Sequence, residues 1–470
     1  MERRNAWLSY KEAEEAEMEK LAKAYREFLD KGKTERECVA EIVKEAEAAG
    51  YESLESKIKK GEKIKAGDKV YAVGMKKIIA LFHVGYEELS GGMSILCAHI
   101  DSPRLDVKQN PLYEDTDLAY LDTHYYGGVK KYQWVTLPLA LHGVIAKKDG
   151  TTVQVSIGEK EDDPVFVITD LLIHLASKQM EKKAATVVEG EKLDLLIGSR
   201  PIEQDETLEE KEKEAVKANV INLLKQYYDM EEEDFLSAEL EIVPAGKARD
   251  MGFDRSMILA YGHDDRVCAY PSMMAVLDYE GTPEYTLCCI VTDKEEIGSV
   301  GATGMASHYL ENTVAELYAC TADYCELAVR RCLRNSRMLS SDVSAGYDPN
   351  FASAFEKKNS AFLGRGICFN KFTGSRGKSG SNDANPEFMA SLRKIMDDAG
   401  VAFQTAELGR VDLGGGGTIA YLCAKYGMNV IDSGIPVLSM HAPYEVISKV
   451  DLYEGYRGYC AFLQGAKPVE

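Results

Sequence analysis

The sequence predicts an α/β fold with a mixed sheet, interrupted by an inserted β-rich domain. Three observations predict it. Five apolar runs of strand length, spread between positions 93 and 441, each end on a histidine or a carboxylate. Between Lys108 and about Val243 that pattern disappears and hairpin signals replace it. The length, 470 residues, exceeds what one hydrophobic core usually holds, so two domains are expected. The expected boundaries are 1–107 with 244–470 for a discontinuous main domain and 108–243 for the insertion.

Taken in chain order, the first sixty or so residues read as helices with charged faces, among them Tyr10 to Leu29. Met93 to Ala98, small and apolar, reads as a buried strand that stops at His99, with Asp101 two positions on and Pro103 soon after. In the insertion, Leu139 to Lys147, the turn Lys148-Asp149-Gly150 and Thr151 to Ile157 form a hairpin pattern. An apolar helix from Asp170 to about Met180 is expected next, carrying His174, and then an acidic stretch, Glu203 to Glu214, that reads as solvated. The strand grammar then resumes. Met257 to Gly262 runs into His263-Asp264-Asp265, and Tyr285 to Thr292 into Asp293-Lys294-Glu295-Glu296-Ile297-Gly298. Met338 to Ser341 ends at Asp342, and Val430 to Ser433 with Ile435 to Met440 ends at His441.

In open α/β sheets, ligands gather at the carboxyl ends of the strands, so these five loops are expected to converge. Two imidazoles with several carboxylates suit zinc, with cobalt or manganese as chemical substitutes. Two such ions repel each other unless an anionic group bridges them. The residues supply that count: Asp264 as bridge, His99 with Asp342, His441 with one glutamate of the Glu295-Glu296 pair, and the other glutamate left as a base. Neighbours in extended chain point opposite ways, so both glutamates reach one site only if the chain bends, and Ile297-Gly298-Ser299-Val300-Gly301 provides the turn.

Composition narrows the function classes. A net charge of −21 argues against nucleic acid or an anionic membrane surface as partner. No signal peptide and no apolar run of transmembrane length is visible. The 11 cysteines show no Cys-x-x-Cys pair, so reduced, buried thiols in a cytoplasmic protein are expected.

The motifs His-x-Asp-Ser-Pro-x-Leu at His99, Asp-Asp at Asp264, Asp-x-Glu-Glu-x-Gly-Ser at Asp293, Ser-Ser-Asp-Val at Ser340 and Ser-Met-His at Ser439 resemble those of the M18 metalloaminopeptidases, which include the aspartyl aminopeptidases. They stand in the family's order, and the resemblance extends from about Tyr71 to the C-terminus. It implies a zinc exopeptidase-like catalytic domain with an inserted oligomerisation domain, and dimers assembling to a dodecamer that admits short peptides. It also implies roles for single residues. Asp264 bridges two zinc ions, His99 and Asp342 complete one, Glu296 and His441 the other, Glu295 is the general base, and Asp101 orients His99. A histidine in the context of His174 reaches a neighbouring subunit's active site. A metal-bridged water, deprotonated by Glu295, then attacks the N-terminal peptide bond.

Other readings carry less chemistry. The glycine cluster Asp412 to Thr418, before an expected helix Ile419 to Tyr426, lacks a Walker lysine and a dinucleotide fingerprint, so nucleotide binding is not expected. The loop Phe372 to Ser381 offers substrate contacts or solvated charge. His83, His124, His142, His263 and His308 carry no second signal. A dinuclear amidase or deacylase, or a catalytically silent shell-forming protein, are the alternatives. Within the aminopeptidase reading, Ala345 and Asp348 stand where aspartyl aminopeptidases carry histidines, with Lys371, Arg376 and Lys378 as other sources of positive charge. A broad or neutral N-terminal preference is therefore expected over strict Asp/Glu selectivity.

Overall fold

Four runs that alternate nothing and expose nothing become the centre of the larger sheet. In the computed structural model, which describes residues 4–203, 213–373, 377–415 and 419–468, Thr286–Thr292, Met93–His99, Arg337–Ser341 and Asn429–Gly434 lie side by side and parallel. Strands buried on both faces favour apolar residues on both, which is why the middles of these segments read as hydrophobic runs, with Ser94, Arg337, Ser340 and Asp432 as buried polar exceptions. Ile78–His83 and Ile367–Asn370 join the two sides antiparallel, Lys69–Gly74 pairs antiparallel with the first of these, and one short parallel strand at each edge completes nine.

Side chains of a strand alternate between faces, and two cores result. Leu96, Ala98, Leu287, Cys289, Val291 and Leu339 face one side, where Tyr25, Ile42, Val267 and Phe462 of the helices Glu12–Lys31, Glu35–Ala48, His263–Leu277 and Lys449–Gly465 cover them. Ile95, Cys97, Cys288, Ile290 and Met338 face the other, under Leu310, Val314, Leu317, Val329 and Leu333 of Tyr309–Thr321 and Glu326–Asn335. The cysteines of these strands are free and buried, as small apolar fillers.

Two of the motif strands do not belong to this sheet. Met257–Ala260 and Pro436–Leu438 pair antiparallel with Glu445–Ser448 in a second sheet of five short strands. Asn429–Gly434 ends in the large sheet, and the chain then enters the small one at Pro436.

The chain divides into two compact units, Met1–Ser102 with Ala248–Met440 and Glu445–Glu470, and Pro103–Lys247 with His441–Tyr444. The second unit is built on an antiparallel sheet in which Thr152–Ile157, Leu139–Ala146, Ala238–Pro244, Arg104–Asp115, Leu118–Tyr126 and Leu195–Gly198 follow one another. Its Asp-Gly hairpin forms, with Leu141 opposite Ile157 and Asp149 Oδ1 accepting from the Thr151 N–H at 2.8 Å. The expected helix from Asp170 to Met180 does not form. Only a 3₁₀ turn, Ile173–Leu175, and one helical turn, Ser177–Met180, are present, with Ile173 68% and Leu175 69% exposed. The apolar run has no buried face to hold a longer helix, and short isolated helices are not stable by themselves. The acidic stretch lies almost wholly outside the described residues, as do Arg376 and Gly416 to Thr418.

Candidate metal centre

Register brings the first candidate ligands together. Thr292 lies opposite His99 and Ser341 opposite Ser433, so the parallel strands stop at a common edge. His99 is the last residue of its strand and is buried. Its Nδ1–H donates to the Asp101 carbonyl at 3.0 Å and lies 3.2 Å from the Asp101 carboxylate. Both neighbours are acceptors, so Nδ1 carries a proton and Nε2 is the nitrogen that could face a cation. That nitrogen is buried, has no hydrogen-bond partner, and faces Asp264 Oδ1 at 3.3 Å, Asp342 Oδ1 at 3.8 Å and Glu295 Oε2 at 3.9 Å.

Asp101 does a second job. Its two carboxylate oxygens accept the backbone N–H groups of Glu295 and Glu296, each at 3.1 Å. Those two residues form a 3₁₀ turn, Glu295–Ile297, between Lys294 at φ 71° and Gly298 at φ 89°. The bend that the pair requires is thus made, and one carboxylate anchors both the imidazole and the turn.

Asp264 enters from the start of His263–Leu277, across a cis peptide to Asp265. The Asp264 N–H donates to Glu445 at 2.9 Å, and Ser102 Oγ donates to the Asp264 carbonyl at 2.7 Å. Asp265 Oδ2 accepts the His99 N–H at 3.2 Å, which ties the two segments to each other. Three sets of potential ligand atoms lie within 4.8 Å of one another: His99, Glu295 and Asp342; His99, Asp264 and Glu296; Asp264, Asp265 and Asp342.

The electrostatics fit a cation. Burial, then the Asp342 and other nearby carboxylates, push Glu295 up to about 8. Asp265 is raised by burial despite the imidazole beside it. Burial opposes charge on His99, but Asp101, Asp264 and Asp342 outweigh it and raise its pKa. So many buried acids around one unpartnered imidazole nitrogen repel one another, and a divalent ion among them reverses every one of these carboxylate shifts.

The other histidines are placed as follows. His441 belongs to the second unit, with φ 65° and Nδ1 3.0 Å from the Gly128 carbonyl. A carbonyl can only accept, so Nδ1 carries a proton. His174 is exposed on the Ile173–Leu175 turn. His263 donates from Nε2 to the Ile258 carbonyl and accepts from Tyr25 Oη at 2.8 Å, as a core histidine. Asp265 and Glu445 were not singled out as site residues. Asp265 was visible only as the second member of an Asp-Asp pair, and nothing local marks Glu445, which reaches the site from 181 positions away in sequence.

Residues 28–463 match the family model of the M18 peptidases, described as aminopeptidase I zinc metalloprotease. The chain belongs to the M18 family. As a member it is an enzyme, a zinc metalloaminopeptidase, as its motifs led one to expect. A probable M18 family aminopeptidase 1 from Clostridium acetobutylicum is 58% identical, covering 98% of each chain, and one from Thermotoga maritima is 44% identical, covering 99% of each. The crystal structure of the M18 aminopeptidase from Thermotoga maritima superposes with a TM-score of 0.93 at 43% identity, covering 99% of this chain and 100% of that one. The structure of aminopeptidase I from Clostridium acetobutylicum gives 0.90 at 57% identity, covering 98% and 99%. These M18 structures carry the same mixed α/β architecture.

Proposed function

We propose that this M18 member removes the N-terminal residue from short peptides at a centre of two zinc ions. His99 and Asp342 would hold one ion and Glu296 and His441 the other, with Asp264 between them. The observation that supports this best is the buried His99 Nε2, which faces three carboxylates within 4 Å and has no hydrogen-bond partner. Zinc, when bound, supplies Lewis acidity, polarising a carbonyl and lowering the pKa of water.

The protein's own groups do the rest. Asp101 fixes the His99 tautomer and holds the turn that aims both glutamates. Glu295 accepts a proton from the attacking water and returns it to the leaving amine. Both glutamates lie in groups containing His99, so their division of labour rests on the family resemblance. It is tested by two substitutions. Glu295→Gln is expected to keep zinc and lose about 10²–10⁴-fold in turnover, whereas Glu296→Gln loses zinc, measured by metal analysis of the purified protein. The reverse pattern exchanges the two roles.

The preference for N-terminal residues follows from charge. Asp348 accepts the Asn350 N–H at 2.9 Å as a cap, and Lys371 and Lys378 both pair with Asp383, at 3.6 and 3.0 Å. With an acid at position 348 and both lysines drawn to Asp383, neutral residues are favoured over acidic ones. For assembly, the exposed Leu171, Leu172, Ile173 and Leu175 around His174 support dimers through the second unit, and the family resemblance extends these to a dodecamer with His174 acting in trans. No helix among the described residues is long and apolar enough to cross a membrane, and we place the enzyme in the cytoplasm.

A further inference from the structure

Arg337 begins the Arg337–Ser341 strand, at the end opposite to Asp342. It is 1% exposed, and Nε, Nη1 and Nη2 have no hydrogen-bond partner. The Tyr285 ring lies over the guanidinium, 4.1 Å from Cζ to the ring centroid. A ring against the flat face answers the charge but not the N–H donors, which point outward in the plane of the group. Buried donors without acceptors are rare in folded proteins, and an anion that meets them removes the cost of leaving them bare. Burial pushes the pKa of Arg337 down to about 10, which leaves it a cation at neutral pH.

The same residue lines a cavity of about 530 Å³, together with Tyr285, Arg334, Asn335, Ser336 and Glu87. Arg334, exposed and donating to Asn335 Oδ1 at 3.3 Å, is a second cation in the lining. The acids nearby do not neutralise Arg337: Glu284 is bridged to Lys467 at 3.3 Å, and Glu87 forms no ion pair with Arg337.

We propose that this cavity binds a small oxyanion, a carboxylate or phosphate group held by the fork of Arg337 with Arg334 as second cation. Two cations against Glu87 suit a compact anionic head and disfavour a polyanion. The guanidinium nitrogens lie beneath the lining, so the anion reaches them as the half-buried Tyr285 ring shifts. The site is separate from the metal centre, since it lies at the amino ends of the strands whose carboxyl ends carry His99 and Asp342.

Calorimetric titration of the zinc-loaded full chain with inorganic phosphate, and separately with succinate at the same ionic strength, tests this. The expected result is one saturable site per chain for at least one anion, and which anion binds identifies the head group. Arg337→Met should weaken it at least tenfold. Arg337→Lys keeps the charge but not the fork, should weaken it at least threefold, and carries the test if the Met variant does not fold. Anions bound at the zinc centre or on surface lysines bind wild type and variants alike. Unchanged affinity in the variants, or no saturable binding to wild type, overturns the proposal.

Discussion

At the scale of single residues, environment decides what a histidine is for. His99 and His263 are both fully buried, but one faces acids and the other a tyrosine and a carbonyl. Nothing in the residue type separates them: both close an apolar run and both have an aspartate two positions on, and only the groups each ring meets in the fold tell them apart. His83 is a third case. Burial first, then the charge of Lys69, lower its pKa to about 4, against about 6.5 in an unfolded chain. Below that value the unfolded state binds the proton and the folded state does not. The stabilisation is therefore complete above about pH 6.5 and is lost as pH falls toward 4, by at most about 1.4 kcal/mol per pH unit. His83→Phe, which keeps a ring against Tyr279, should lose less urea resistance than wild type between pH 7 and pH 5. Zinc loss at acid pH affects both proteins, so equal losses would remove His83 from the account. Substrate choice is also a matter of single residues. With Asp348 spent as a cap, kcat/KM for Leu-initiated peptides is expected to exceed that for Asp- and Glu-initiated ones, measured with zinc saturating. A strong preference for acidic residues would return the chain to the aspartyl aminopeptidases.

At the scale of elements, the parallel strands were legible because a strand buried on both faces is apolar along most of its length and does not alternate. The sheet to which each strand belongs was not. Met257–Ala260 and Arg337–Ser341 look alike as apolar runs, and only pairing puts the first in the small sheet. The apolar stretch at His174 misled for a related reason: leucines and isoleucines mark burial, and here they remain at the surface. The crossing point between the sheets sets one expected outcome. A Cβ on Gly434 would lie 1.7 Å from the Asp342 carbonyl oxygen, and the Asp342 N–H bonds Ser433 at 2.7 Å. Gly434→Ala must therefore push the two strand ends apart. It is expected to cost about 1–3 kcal/mol in a denaturant titration and to reduce zinc retention. Full zinc content with normal turnover would mean that this edge is softer than its packing implies.

For the molecule as a whole, the strand-end pattern disappears between Lys108 and Val243, within the stretch Pro103–Lys247 of the second unit, while the membership of His441–Tyr444 in that unit has no local signal. The exposed apolar residues around His174 bear on assembly. Mixing a His174→Ala chain with a Glu295→Gln chain, each inactive alone, is expected to restore part of the peptidase activity if His174 serves a neighbouring subunit. No recovery in mixed oligomers verified by mass would confine His174 to a structural role.

The strand order also dictates a schedule of synthesis. Met93–His99 lies between Thr286–Thr292 and Arg337–Ser341, so both of its partners leave the ribosome long after it does. At about 5–20 residues per second, roughly 10–40 s pass before the first arrives. For that time a mostly apolar strand has no edge to pair with. On the proposed ligand set the same delay would be protective: His99 would wait for Asp264, Glu295 and Asp342, and the centre would form only on a nearly finished chain.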